Sequence, residues 1–171
     1  VREAELSMKR RLGVSEQSIL VTQSNLAITY EDLGRHEEAL SMQRDVYSGR
    51  LRLNGEEALN TLIAALNYAN SLVILEHYAE AKSLLRKTTP VARRVLGEEN
   101  EHTLKMRWLS VEALYRDPSA TLNDLRKAVT TLEEIERTAR RVLGGAHPTT
   151  KGIERALQEA RAALARASLA K

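Results

Sequence analysis

Four imidazoles, His36, His77, His102 and His147, are the first place to look for metal or proton chemistry in this chain, which has no cysteine. Their spacing argues against both roles. All four fall at turns or helix starts. The HExxH pairing that would set two imidazoles on one helical face is absent, and thiolate zinc spacings are excluded. No metal and no cofactor is expected. Carboxylates are abundant, but pairs such as Glu37 and Glu38, or Glu133 and Glu134, fall on charged solvent faces, so acid–base catalysis has no motif to stand on. The GxGxxG, P-loop and GxSxG patterns are missing as well. The chain is expected not to be an enzyme.

Other residues suit recognition better than reaction. Asn25 and Asn67 stand 42 residues apart (67 minus 25), and each amide offers two donors and an acceptor. Asparagine is a mediocre helix former, so its recurrence on one face needs a reason. That reason is either an extended chain held by its backbone or the capping of neighbouring helix ends. Trp108, the sole tryptophan, is either an interface anchor or core filler. Arginines recur at Arg10 and Arg11, Arg50 and Arg52, Arg93 and Arg94, and Arg140 and Arg141. The simpler reading is that they oppose helix dipoles and pair with glutamates. The rival is a phosphate-tracking ridge of Arg10, Arg52, Arg93 and Arg140 for RNA.

The elements that must position these residues are helices. With 43% hydrophobic and 29% charged residues the composition is that of a folded, soluble chain, and the absence of phenylalanine beside abundant Leu, Ala, Glu and Arg favours an all-α fold packed through small and aliphatic side chains. The net charge of +3 is too small to imply a nucleic-acid partner. No apolar run approaches the roughly 18 residues of a membrane span. Without cysteine, a cytoplasmic setting is expected. The chain opens at Val1 inside a helix-like run, read as the tail of a truncated preceding repeat, with the native N-terminus missing.

Glycines set the register. Gly13, Gly55 and Gly97 lie 42 residues apart (55 minus 13, 97 minus 55), and Gly144 follows after 47. Leu12, Leu96 and Leu143 precede three of them, and basic residues crowd the turn before each. These are the marks of repeated helix C-termini. A period in this range means stacked supersecondary units. The pattern predicts A helices at 15–33, 56–75, 99–115 and 148–169, and B helices at 37–53, 79–96 and 122–143. Core positions fall on Leu26, Ala27 and Tyr30, on Tyr68, Ala69 and Leu72, and on Ser110, Val111 and Leu114. Pro90 is expected to kink or restart its helix. Five extra residues near Asp117, Pro118 and Ser119 lengthen the third unit, with Ser119 expected as an N-cap. The segment from Gly152, starting at HPTT, reads as a terminal capping helix. One domain is expected: 1–13 a repeat remnant, 14–55, 56–97 and 98–144 three repeats, and 145–171 the cap.

The combination NLAxxYxxLGxxxEA at 25–39, whose Asn, Ala, Leu, Glu and Ala recur at 67–81, followed by RRVLGxxHPxT at 140–150, resembles the tetratricopeptide repeat, in particular the 42-residue kinesin light chain variety. Residues 144–150, GGAHPTT, match that linker closely, while 97–103, GEENEHT, keep the Gly and the Thr. Glu76 replaces the turn glycine, Gln43 replaces a large apolar residue, and Leu109 replaces the asparagine.

The resemblance implies an αα-hairpin solenoid, a right-handed superhelix whose inner surface of A helices binds peptides or partner proteins. Its inward positions fall on Val21, Ser24, Asn25, Ile28, Glu31 and Asp32. They continue on Ile63, Leu66, Asn67, Asn70, Val73 and Ile74, and then on Lys105, Trp108, Leu109, Glu112, Tyr115 and Arg116. Asn25 and Asn67 match the asparagine that contacts peptide backbone in such domains. The charges expected in that groove are acidic in the first repeat and basic in the third, which suits a ligand with apolar anchors and mixed charge. The terminal-carboxylate clamp of chaperone-binding relatives needs more basic residues than these. The expected function is a protein-interaction scaffold or adaptor. The alternatives are self-association through the apolar patch near Ile74 and, less favoured, RNA binding along the basic edge.

Overall fold

The structure, a computed structural model, describes residues 2–11 and 13–169. Leu12 lies outside them, as do the side chains of Arg10 and Arg11. Among the described residues there are eight helices and no strand. They are α1 (Arg2–Arg11), α2 (Glu16–Asp32), α3 (His36–Asn54), α4 (Leu59–Ile74), α5 (Tyr78–Leu96), α6 (Glu101–Tyr115), α7 (Leu122–Val142) and α8 (Pro148–Leu169). The A helices α4 and α6 start two or three residues later than periodicity alone predicts. For α6 the cause is visible: Asn100 caps it, its Oδ1 accepting from the His102 amide at 2.9 Å. Gly55, Gly97 and Gly144 follow the B helices with φ of 79°, 92° and 90°, the left-handed termination that glycine permits without a Cβ penalty. Where glycine is missing from the turn after α4, Glu76 also takes a positive φ, 61°, as Gly34 does at 73° in the matching turn after α2.

The chain divides into two compact units, Val1–Leu75 and Glu76–Lys171. In the first, α1 packs on α2, α2 on α3, and α3 on α4. Leu6, Leu26, Tyr30 and Ala39 form one buried cluster; Leu20, Val46 and Ala64 form another. Helices α2 and α3 approach closely at Gly49, where an added Cβ would stand 2.8 Å from Leu20 Cδ2. The side chain of Gln43 is fully buried, and neither its amide nitrogen nor its oxygen finds a hydrogen-bond partner. The same position in the other B helices holds Leu85 and Leu132 (85 minus 43, 132 minus 85).

In the second unit, α5 packs on α6, α6 on α7, and α8 on both α7 and α6. Leu104, Val111, Leu132, Ile135 and Ile153 anchor its core. Of the expected core trio on α6, Val111 is buried, while Ser110 and Leu114 are half-buried. Pro90 does not restart its helix: α5 runs unbroken through it. The donor that proline removes would have served the carbonyl of Arg86, and since Arg86 and Pro90 are both exposed, that carbonyl lies on the solvent side. Ser119 is not an N-cap either. Thr121 caps α7 in a reciprocal box with Asp124, whereas Ser119 gives both its amide, at 2.8 Å, and its hydroxyl, at 2.6 Å, to Asp117. The five extra residues divide between a six-residue turn, against three in the other hairpins, and a B helix of 21 residues, against 19.

Two stability outcomes follow. Gln43→Leu removes an unpaired buried amide and should raise the urea midpoint, a gain of about 1 to 3 kcal/mol; a lowered midpoint contradicts this account of the core. Lys82 Nζ lies 2.6 Å from Asp117, and that ammonium, with the Ser119 bonds, holds the Asp117 carboxyl far below the usual range. A carboxyl with a depressed folded pKa contributes stability above its unfolded pKa of about 3.9 and loses it as the pH falls toward the folded value. The gap in urea midpoint between wild type and Asp117→Asn should therefore be wider at pH 7 than at pH 3, and a constant gap would refute the ion pair's role.

Candidate functional site

The helix faces expected to point inward are built differently in the two units. On α2 of the first unit, Val21, Asn25, Ile28 and Asp32 are exposed, and Ser24 and Glu31 are half-buried; on α4, Ile63, Asn67 and Asn70 are half-buried and Ile74 is exposed. Leu66 and Val73, also expected on this face, are buried. Three large aliphatic side chains thus stand open to solvent: Val21 at 49%, Ile28 at 42% and Ile74 at 43%. Glu31 joins the two helices by accepting from the Ser71 hydroxyl at 2.5 Å. Val21, Ser24, Asn25 and Ile63 line a common pocket of about 130 Å³, whose wall includes Val46 and Arg50 of α3. Glu31 and Asp32 sit in the last turn of α2, which carries no basic residue. Negative charge there is unfavourable, because it adds to the negative end of the helix dipole.

In the second unit the expected residues are mostly engaged. Lys105 Nζ lies 2.7 Å from Glu101, whose carboxylate also accepts from the Thr149 hydroxyl at 2.8 Å. Trp108 packs on the core cluster with its ring edge over Gly152 of α8; a Cβ added there would lie 2.4 Å from Trp108 Cη2. Leu109, Glu112 and Tyr115 are buried. Arg116 is clamped by Glu112 at 3.1 Å and Glu159 at 2.7 Å, and Tyr115 gives its hydroxyl to Glu159 at 3.0 Å. Burial pushes the Glu112 carboxyl up, with Arg116 opposing. At Glu159 burial acts in the same direction, but Arg116 and Tyr115 outweigh it and hold the carboxyl below its ordinary range. Arg116, Tyr115 and Glu159 edge a pocket of about 480 Å³ with Glu76, Tyr78 and Arg166.

The basic edge is also paired. Arg52 meets Glu16, Arg93 meets Glu98 at 2.5 Å, and Arg140 meets Glu136 at 2.7 Å as well as Glu154; the Arg10 side chain lies outside the described residues. Sequence reasoning missed Arg50, Ser71 and Glu159. Arg50 was within reach, since the repeat offsets place it opposite Ala92 and Ala139. Glu159 was not, because its role depends on where α8 packs.

Helices repeating at this period, with buried small residues on the A helices and glycine at the ends of the B helices, define a helical-repeat protein. The chain belongs to the tetratricopeptide repeat family, whose profile matches residues 18–105. Its fold is shared with two crystal structures of the nearly identical TPR-like repeats of a Podosopora anserina protein named for kinesin light chain, one of them carrying a substitution. Their TM-scores are 0.77 and 0.74 at 20% and 19% identity, and the match covers 99% of this chain and 78% of each of theirs. BtubC (BKLC) from P. vanneervenii is similar at TM-score 0.65 and 16% identity, over 91% of this chain and 64% of its own. No curated protein matches the chain. Among the described residues, no helix is long and apolar enough to cross a membrane.

The contact of Trp108 with Gly152 yields a test. Gly152→Ala should destabilise the chain by about 1 to 3 kcal/mol through overpacking, and Trp108→Leu in the same chain should recover part of that loss. Strictly additive effects in urea unfolding would show that the two side chains do not meet.

Proposed function

We propose that this chain is a non-enzymatic scaffold that holds an extended peptide of a partner protein, and that the holding surface is the inward face of α2 and α4 in the first unit. The observation that carries this reading is the conjunction on that face of three exposed aliphatic side chains, Val21, Ile28 and Ile74, with Asn25, Asn67 and Asn70. Amides can hold peptide backbone without reading its sequence, and aliphatic side chains left in water supply the apolar contact that a ligand would cover. Membership of a repeat family whose arrays generally mediate protein–protein interaction supports the same reading.

Charge refines the ligand. The cations of the third repeat, Lys105 and Arg116, already have carboxylate partners within their own unit. Glu31 and Asp32 have no basic residue in their own last turn of α2, and Arg35, which shares a pocket with Asp32, is paired with Glu38 and Glu3. A Lys or Arg side chain of the peptide would relieve their repulsion with the helix end.

The test is selection from a random peptide library displayed on phage, followed by affinity measurement. Asn25→Ala combined with Asn67→Ala should weaken a selected peptide by about tenfold or more, equivalent to about 1.4 kcal/mol, with far-ultraviolet circular dichroism unchanged. Undiminished affinity in that double variant would remove the inward face as the holding surface.

A further inference from the structure

Arg50 departs from the repeat in a way that the fold does not require. Stepping 42 residues along brings Ala92 to its place in α5, and a further 47 brings Ala139 in α7 (92 minus 50, 139 minus 92), both fully buried. An arginine therefore occupies the position at which the other two B helices carry a buried alanine. Arg50 is itself buried, with 7% of its surface accessible. The hydroxyl of Thr61 reaches only its backbone carbonyl, at 3.2 Å, an arrangement repeated by Thr103 on Ala92 at 3.3 Å. Among the described residues the Arg50 guanidinium makes no ion pair and no hydrogen bond. An arginine cannot shed its proton, and the guanidinium nitrogens, none of them sealed from solvent, have no counter-charge, so an anion entering beside them would meet an unpaired cation.

The side chain lines the pocket of about 130 Å³ whose other walls include Val21, Ser24, Asn25, Asn60 and Ile63. That space admits a carboxylate and the carbon that bears it. The flat fork of a guanidinium matches a carboxylate through two parallel hydrogen bonds, and the Ser24 hydroxyl and Asn60 amide add polar groups to the wall. We propose that this pocket receives the carboxylate of an aspartate or glutamate side chain from the bound peptide. The proposal rests on the peptide-holding reading of the first unit and sharpens it. Val21, Ser24, Asn25 and Ile63 belong to the inward face, so a peptide lying there passes over the pocket. Glu31 and Asp32, about two helical turns further along α2, would meet a residue of opposite sign.

The test uses the full chain, labelled with nitrogen-15, and a single blocked residue, N-acetyl-aspartate N-methylamide, with the blocked asparagine and inorganic phosphate as comparisons. Saturable shifts are expected at the Arg50 Nε–H and at the backbone amides of Ser24 and Asn25, with affinity for the asparagine lower by about tenfold, as expected when a charge-assisted pair is lost. Arg50→Ala, a residue the fold already carries at the two equivalent positions, should abolish the shifts while leaving the rest of the spectrum in place. Shifts that persist in Arg50→Ala, an equal response to asparagine, binding of phosphate in preference to aspartate, or no saturable shift would each overturn the pocket. Because the probe is independent of any selected peptide, the two readings fail separately. Asparagine-dependent peptide binding without aspartate binding refutes the pocket alone, and aspartate binding without a selectable peptide refutes the inward-face reading.

Discussion

Everything in both units depends on how closely one helix can approach the next. Ala27, Ala39, Ala69, Ala81, Ala113 and Ala128 are all fully buried, and at each of them the helix presents a methyl group rather than a branched side chain to the core. Glycine carries the same constraint further: Gly49 meets the Leu20 side chain and Gly152 meets the Trp108 ring at distances that leave no room for a Cβ. Close approach lets a chain without phenylalanine build dense cores from leucine and alanine, because dispersion contacts fall off steeply with any gap. It also fixes which faces remain open. A helix pressed against its neighbours through alanines on one side presents a different set of residues on the other, and on α2 that set includes Val21, Asn25, Ile28 and Asp32.

The two units spend their polar residues differently. In the second, acid and base are matched both locally, Glu101 with Lys105 and Glu112 with Arg116, and over long sequence distances, Glu159 with Arg116, Glu99 with Arg141, Glu133 with Arg161. Most of these pairs are exposed and worth little individually, but together they leave few unmatched charges on α6 and α8. In the first unit, Asp32 and Glu31 stand at a helix end without a cation in the same turn, Gln43 is buried without a partner, and Arg50 is buried without a counter-charge. Departures of this kind from good local chemistry gather where a chain has a use for them. Here Glu31 and Asp32 share α2 with exposed Val21 and Ile28, and Arg50 lines the pocket that Val21 edges.

Helix identity, helix ends and the composition of each face were legible in the sequence because they are local. A glycine 42 residues after another glycine, with arginines before it, reports a helix terminus without any knowledge of packing. Pro90 and Ser119 misled for the same reason. The cost of a proline depends on whether the freed carbonyl reaches solvent, and Ser119 was drawn away from capping by a nearby carboxylate, Asp117, while Thr121 found its partner in Asp124. The site was harder to read. That Val21 and Ile28 are open while Leu66, Glu112 and Tyr115 are covered depends on neighbouring helices, and the clamping of Arg116 by Glu159 joins residues 43 apart in sequence. Helical periodicity assigns a residue to a face, but only packing decides whether that face is free.

The central claim is that the inward face of α2 and α4 is the surface on which a partner lies. Exposed aliphatic side chains also occur elsewhere, at Leu51 and Leu53 of α3, Val95 of α5 and Val142 of α7, so methyl groups can discriminate between faces. The direct measurement is intermolecular nuclear Overhauser contacts between a library-selected peptide and the chain labelled at its Ile, Leu and Val methyls. Contacts to Val21, Ile28, Ile63 and Ile74, with none to Leu51, Leu53, Val95 or Val142, are the predicted result. Contacts confined to the B-helix methyls would contradict it.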